Sequence, residues 1–461
     1  MKTECKLQSN VKGVQPDMYV KSKAHRGMTS CQTARAFRAA GIIGLLTLAT
    51  FQVPSTAQTP TEVQPQSAFN RDRNISVQDR ARPEYESQGI RRGAFIWRPS
   101  LNSFVAYSDN LFATEEGVEG DGILTLQPKI RVTSDWQSNR IDAFANLLHQ
   151  EYFENAGEST TGYALGAGGQ LDASRAVRFE AGADYRRAFE GRTAIGASQV
   201  SVDPIEFRQS NVFLSAVREF GRSRLSADGK LLSTNYDDAA FEDGTEIDQD
   251  FRDQTQAGIA LRADYAISPE TAIFARVAYT DVDHDQLPVT GLDRDRETIT
   301  GRIGVDFELT SALRGQVGLG YFSTDFLGAV LDDVDGFGFD GQLEWFATPL
   351  ITLTASGERG TRSSELLISP ATTQTQFGLK ADYEYRRNVI FSAGYSFFDD
   401  DFNFVDRSDV RNDFYAAGLV LLNPNVGLET RISRRSLDSN GALAQSDFNE
   451  TRLLFGLRWQ L

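Results

Sequence analysis

Leu453, Phe455, Leu457, Trp459 and Leu461 alternate with Leu454, Gly456, Arg458 and Gln460 at the carboxyl terminus. A period of two puts the first set on one face of a strand and the mostly polar second set on the other. The pattern recurs upstream. Val177, Phe179, Ala181, Ala183 and Tyr185 oppose Arg178, Glu180, Gly182, Asp184 and Arg186; Ile299, Ile303, Val305, Phe307 and Leu309 oppose Thr300, Arg302, Gly304, Asp306 and Glu308. One face suits hydrocarbon and the other suits water.

Two kinds of connector separate these runs. Short ones built of turn-forming residues lie at 135–139, 172–176, 220–223, 268–271, 310–313, 347–350, 385–388 and 423–425. Nine long, acidic stretches alternate with and flank them, so the alternation predicts eighteen strands. The expected fold is all-β: a transmembrane antiparallel β-barrel of about 18 strands with short periplasmic turns and long acidic extracellular loops. Tyr107, Tyr185, Tyr265, Tyr321, Trp345, Tyr383 and Trp459 fall near predicted strand ends, where interfacial girdles require aromatics. A soluble propeller repeats at a similar period. It needs four short strands per unit, buried on both sides, whereas these units hold two long strands with one charged face.

Composition adds to this picture. Hydrophobic residues make up 40% of the 461, with 39 Gly, 31 Phe and only 13 Pro, a chain short of core material but rich in β-formers. The net charge of −16 argues against a nucleic-acid partner. Cys5 and Cys31 are the only cysteines, so from residue 32 onward thiol catalysis and Cys-ligated metals are excluded. With Met28 as the working start, Arg35 and Arg38 precede an apolar run from Ala39 to Phe51 and a small-residue site ending at Ala57. That is the pattern of a secretory signal, too short for a spanning helix. Residues 1–57 are read as an upstream extension plus signal peptide, 58–92 as a flexible periplasmic arm rich in Pro, Gln and charge, and 93–461 as the barrel.

The first predicted strand, Arg98 to Phe112, opens with Pro99 and ends in Tyr107-x-Asp109-Asn110-Leu111-Phe112; a second strand carrying Pro128 follows, ending at Ser134-Asp135-Trp136. In these features the chain resembles the putative beta-barrel porin 2 family of Gram-negative outer membranes, over about Gly93 to Leu461. The resemblance implies an outer-membrane barrel. Through members associated with exopolysaccharide production it also implies glycan traffic and polysaccharide export components as partners. Outer-membrane lipid, lipopolysaccharide and the barrel assembly machinery are the other partners expected. Phe455, Leu457, Trp459 and Leu461 are the candidate assembly signal, with Leu461 in place of the terminal aromatic such strands favour.

Candidate chemistry lies mainly on the inward face. Arg178, Arg262, Arg276, Arg302, Arg314, Arg431 and Arg458 are interspersed with Asp184, Asp306, Asp340, Glu344 and Glu429. Fixed charges of both signs facing water orient dipolar, hydroxyl-rich solutes and set weak ion selectivity, unless they neutralise one another in wall-to-wall pairs. The arm or the long loops folding inward would narrow such a pore. Asp332, Asp333 and Asp335 are weak candidates for a hard cation, since clustered oxygens bind such ions, but they match no calcium-loop spacing. Asp281 to Asp285 surrounds His284 with carboxylates but has no Ser or Cys nucleophile beside it, and no cofactor is expected. The expected function is a channel for hydrophilic solutes, not an enzyme. The alternative is a closed surface or scaffold barrel that supports the envelope or an export complex.

Overall fold

The computed structural model describes residues 75–461 except 194–200, 241–243, 289, 311, 329–330, 365 and 367; the predicted signal and the upstream extension lie outside the described residues. Eighteen long strands are present: β1 (Phe95–Ser108), β2 (Asp121–Ser134), β3 (Arg140–Tyr152), β4 (Thr160–Ser174), β5 (Val177–Phe189), β6 (Glu206–Phe220), β7 (Ser223–Tyr236), β8 (Gln254–Ser268), β9 (Thr271–His284), β10 (Arg296–Leu309), β11 (Leu313–Phe326), β12 (Val334–Thr348), β13 (Ile351–Ser363), β14 (Ala371–Arg386), β15 (Val389–Phe402), β16 (Ser408–Asn423), β17 (Val426–Asn440) and β18 (Phe448–Gln460). Each pairs antiparallel with its successor, and β18 returns to β1 from Ser100↔Gln460 to Ser108↔Arg452. The sheet therefore has no free edge. That closure is what lets backbone amides sit in hydrocarbon without unpaired donors.

Burial is inverted relative to a soluble protein. Ile303 in the middle of β10 is 70% exposed, while Asp306 three residues on is 1% exposed. Phe455, Leu379 and Leu214 are likewise exposed, and Glu384, Asp264 and Asp400 are buried. Such a continuous outer apolar belt is stable only in lipid. Tyr107 and Tyr321 mark its long-loop border, Tyr265, Trp345, Tyr383 and Trp459 its short-turn border, all exposed. Tyr185 stacks obliquely on Tyr163 of β4, ring centroids 6.1 Å apart.

Ile303→Arg is expected to cost about 2–4 kcal/mol of folding free energy, because a guanidinium then faces the bilayer midplane. Urea unfolding in lipid vesicles reads this directly. Thr300→Arg, on the opposite face of the same strand, should change stability little.

A short strand, Ile90–Arg92, pairs with the start of β1. Before it, residues 75–86 do not extend away as a free arm. They run along the inner wall at the short-turn end.

Candidate functional site

Register places the twelve candidate lumen residues on the face opposite the apolar belt, and most are engaged there. Arg178 bonds Asp172 at 2.8 Å near the turn, and Asp184 accepts from Asn211 at 2.8 Å. Arg262 lies 2.8 Å from Asp264 and 3.7 Å from Asp306, Arg302 lies 3.4 Å from Asp340, and Arg458 lies 3.8 Å from Glu429. Arg314 is paired with Glu344, and Arg431 sits over the Tyr415 ring, 4.1 Å from its centroid. The wall-to-wall pairing weighed from sequence is thus widespread. Arg276 differs: among the described residues its half-buried side chain has no direct hydrogen bond or ion pair.

Arg276 is the centre of a lateral row. Its Cα partners are Arg262 on β8 and Arg302 on β10, and the row continues through Gly320 and Gly338. Like charges directly opposite one another on neighbouring strands repel. The glycines relieve this by leaving the wall bare, so Arg302 can swing sideways. A Cβ on Gly338 would collide with the Arg302 guanidinium, which instead donates to the Arg359 carbonyl of β13 at 3.2 Å. Arg262 is spread the same way, over the Phe274 ring at 4.0 Å and towards Gln316 of β11 at 3.1 Å.

A second inward feature is not legible from the sequence alone. Six aromatic side chains turn into the barrel and lie over a glycine directly opposite on the next strand: Phe104 over Gly456, Phe144 over Gly166, Phe213 over Gly182, Phe274 over Gly304, Phe322 over Gly336 and Tyr415 over Gly394. These pairs cover backbone that would otherwise be bare and pin the register. The available signal was glycine on the inward parity opposite an aromatic, which requires knowing the register first.

Both mouths are narrowed. At the long-loop end the described part of the 190–205 loop is held by a buried ion pair, Arg192–Glu158 at 2.5 Å. Its Thr193 hydroxyl accepts from Arg435 of β17 at 2.6 Å, on the opposite side of the barrel seam. On the other wall, Ser363 of β13 donates to Gln254 of β8 at 3.0 Å and accepts from Arg296 of β10 at 2.6 Å, chords that draw distant strands together. At the short-turn end Arg82 meets Glu384 at 3.2 Å. Burial lowers the Arg82 pKa and Glu384 opposes that shift.

The Tyr-x-Asp-Asn segment closes the seam. Asp109 accepts the Thr451 amide at 2.6 Å, and buried Asn110 donates to the Asn449 carbonyl at 3.0 Å and the Thr114 carbonyl at 2.8 Å. Phe112 lies under Arg192 at 5.9 Å, Pro99 accepts the Leu461 amide at 3.0 Å, and exposed Tyr107 borders the belt. Asp332, Asp333 and Asp335 do not converge: the first two are exposed on a loop and Asp335 sits exposed in β12, facing Ser323 of β11. Sequence neighbours in an extended chain point apart. Among the described residues, the carboxylates whose oxygens fall within 4.8 Å of one another are instead Asp238, Asp248 and Asp250. His284 bonds Asp295, ring nitrogen at 3.3 Å and backbone amide at 2.7 Å, and so ties down its loop. Burial pushes the Asp295 carboxyl up against the pull of that amide, and burial likewise raises Asp253 against the Tyr236 amide.

The chain is similar in overall architecture to the outer membrane protein OpdK of Pseudomonas aeruginosa (13% identity, 79% of this chain and 99% of that one covered, TM-score 0.43). It is also similar to OccAB2 of Acinetobacter baumannii (13% identity, 80% and 100% covered, TM-score 0.44). No curated protein sequence matches it. A sequence model of the family described as Putative beta-barrel porin 2 matches residues 82–461, the whole barrel with its seam motif, its arginine row and part of the inner segment. The chain belongs to that family, and is a porin-like β-barrel of the outer membrane.

Proposed function

We propose that this protein is a channel that passes hydrophilic solutes across the outer membrane, with dipolar, hydroxyl-rich compounds, segments of exopolysaccharide among them, as the cargo class. The observation that carries this reading is the inner face at the Arg262–Arg276–Arg302 row, where three neighbouring guanidinium groups, flanked by the carboxylates of Asp264, Asp306 and Asp340, line a wall left bare by glycines. Eighteen strands enclose a lumen too wide for side chains alone to fill. Paired charges offer a sugar both donors and acceptors while attracting neither ion strongly. Arg276, lacking a direct protein partner, is the group most able to give up water for a solute.

In this reading the short turns face the periplasm. Phe455, Leu457, Trp459 and Leu461, all exposed on the lipid side of the last strand, are the surface offered to the assembly machinery. Single-channel recording in planar bilayers tests the proposal. Discrete conductance steps are expected; the scaffold alternative predicts none.

A further inference from the structure

Residues 75–86 carry an arrangement that barrel closure does not require. Val77 is fully buried and its amide donates to the Thr352 hydroxyl of β13 at 3.0 Å. Gln78 reaches Asp382 of β14 at 2.7 Å and Ser392 of β15 at 3.0 Å. Arg80 bonds Glu384 at 2.7 Å and the Pro349 carbonyl at 2.5 Å, and Arg82 adds a second guanidinium to the same carboxylate. Arg387 donates to the Ala81 carbonyl at 3.3 Å, and Gln460 of β18 donates to the Tyr85 carbonyl at 3.4 Å. The segment therefore lines the inner rim from β13 to β18 at the short-turn mouth.

We propose that residues 75–86 are a displaceable strap that occupies this rim, narrows the channel and is latched on Glu384 by Arg80 and Arg82. Every contact named above, that of the Val77 amide included, is a hydrogen bond or ion pair, and the fully buried Val77 side chain is the apolar part of the strap. The exposed polar contacts of the strap are exchanged for water at little net cost, so its release hinges on the buried Glu384 latch rather than on unfolding the barrel. Glu384, 2% exposed, gathers Arg80, Arg82 and, at 3.8 Å, Arg387. Neutralising it removes the anchor common to both strap arginines. Asp382 keeps Lys380 at 3.1 Å, so its own charge remains compensated when Gln78 departs.

The test needs the whole chain with Cys5 and Cys31 replaced by serine, so that an introduced thiol is unique. In V77C the thiol should react slowly with a water-soluble maleimide in the reconstituted protein, and adding E384Q should speed labelling by about tenfold or more, the loss of one charge-assisted latch. Equal labelling rates overturn the strap. In planar bilayers V77C/T352C, oxidised, should hold the smaller conductance, and reduction should release larger steps, as should deletion of 75–86. Identical steps in oxidised and reduced forms likewise overturn it. The inference rests on the channel reading for its consequence, yet the two fail separately. A strap that labels as expected in a barrel that never conducts contradicts the channel alone.

Discussion

Gly456→Val is expected to leave the barrel unable to close. Gly456 faces Phe104 across the β18–β1 seam, the pairing that converts an open sheet into a barrel, and any Cβ there collides with the Phe104 ring. The ring is buried at 2% exposure, flanked by strands whose backbone spacing is set by hydrogen bonds, so it has no direction in which to yield. Overpacking of this kind costs roughly 1–3 kcal/mol, and a β-branched side chain forced against an aromatic face belongs at the upper end. The compact, heat-modifiable band on a denaturing gel should fall sharply. Phe104→Ala alone should be mildly destabilising, and combined with Gly456→Val it should restore the band, an interaction of opposite sign to the two single effects. A double variant no better folded than Gly456→Val would show that the ring does not set the seam.

Arg276→Glu is expected to move the ion selectivity of the pore strongly towards cations. Each unit charge acts on an ion about 6 Å away with roughly 0.7 kcal/mol in a watery lumen, and the substitution changes the charge by two. That is about 1.4 kcal/mol, or tenfold, for each ion, favourable for a cation and unfavourable for an anion, so the ratio of anion to cation occupancy falls by roughly a hundredfold. The reversal potential under a salt gradient measures it, best at low ionic strength where screening is weak. Arg178→Glu is the comparison: Arg178 sits at the rim, half-exposed and paired with Asp172, and should shift the potential far less. Equal shifts would mean that the arginine row is not the narrow, selective level of the lumen.

How much of this was readable in advance follows from which interactions are local. Alternation along one strand fixes its faces, so the inward parity of Arg262, Arg302 or Glu344 and the outward parity of Phe455 and Trp459 needed no partner strand. Connector chemistry was equally local, and the eighteen-strand count came from it. Cross-strand neighbours were not readable. Phe104 and Gly456 are separated by nearly the whole barrel, and Arg262, Arg276 and Arg302 share a level only once register is known. Residues 75–86 read as flexible because they hold little that is apolar. Their partners, Thr352, Asp382 and Glu384, lie some 275 to 304 positions away. The acidic run at Asp332 to Asp335 failed for the same reason: proximity in an extended chain is not proximity in space.

Whether the closed, charge-lined barrel conducts is decided by reconstituting the purified, heat-modifiable protein into planar bilayers. Discrete, reproducible conductance steps are expected, smaller with residues 75–86 in place than without them. A folded barrel that gives no steps in either form would contradict the channel.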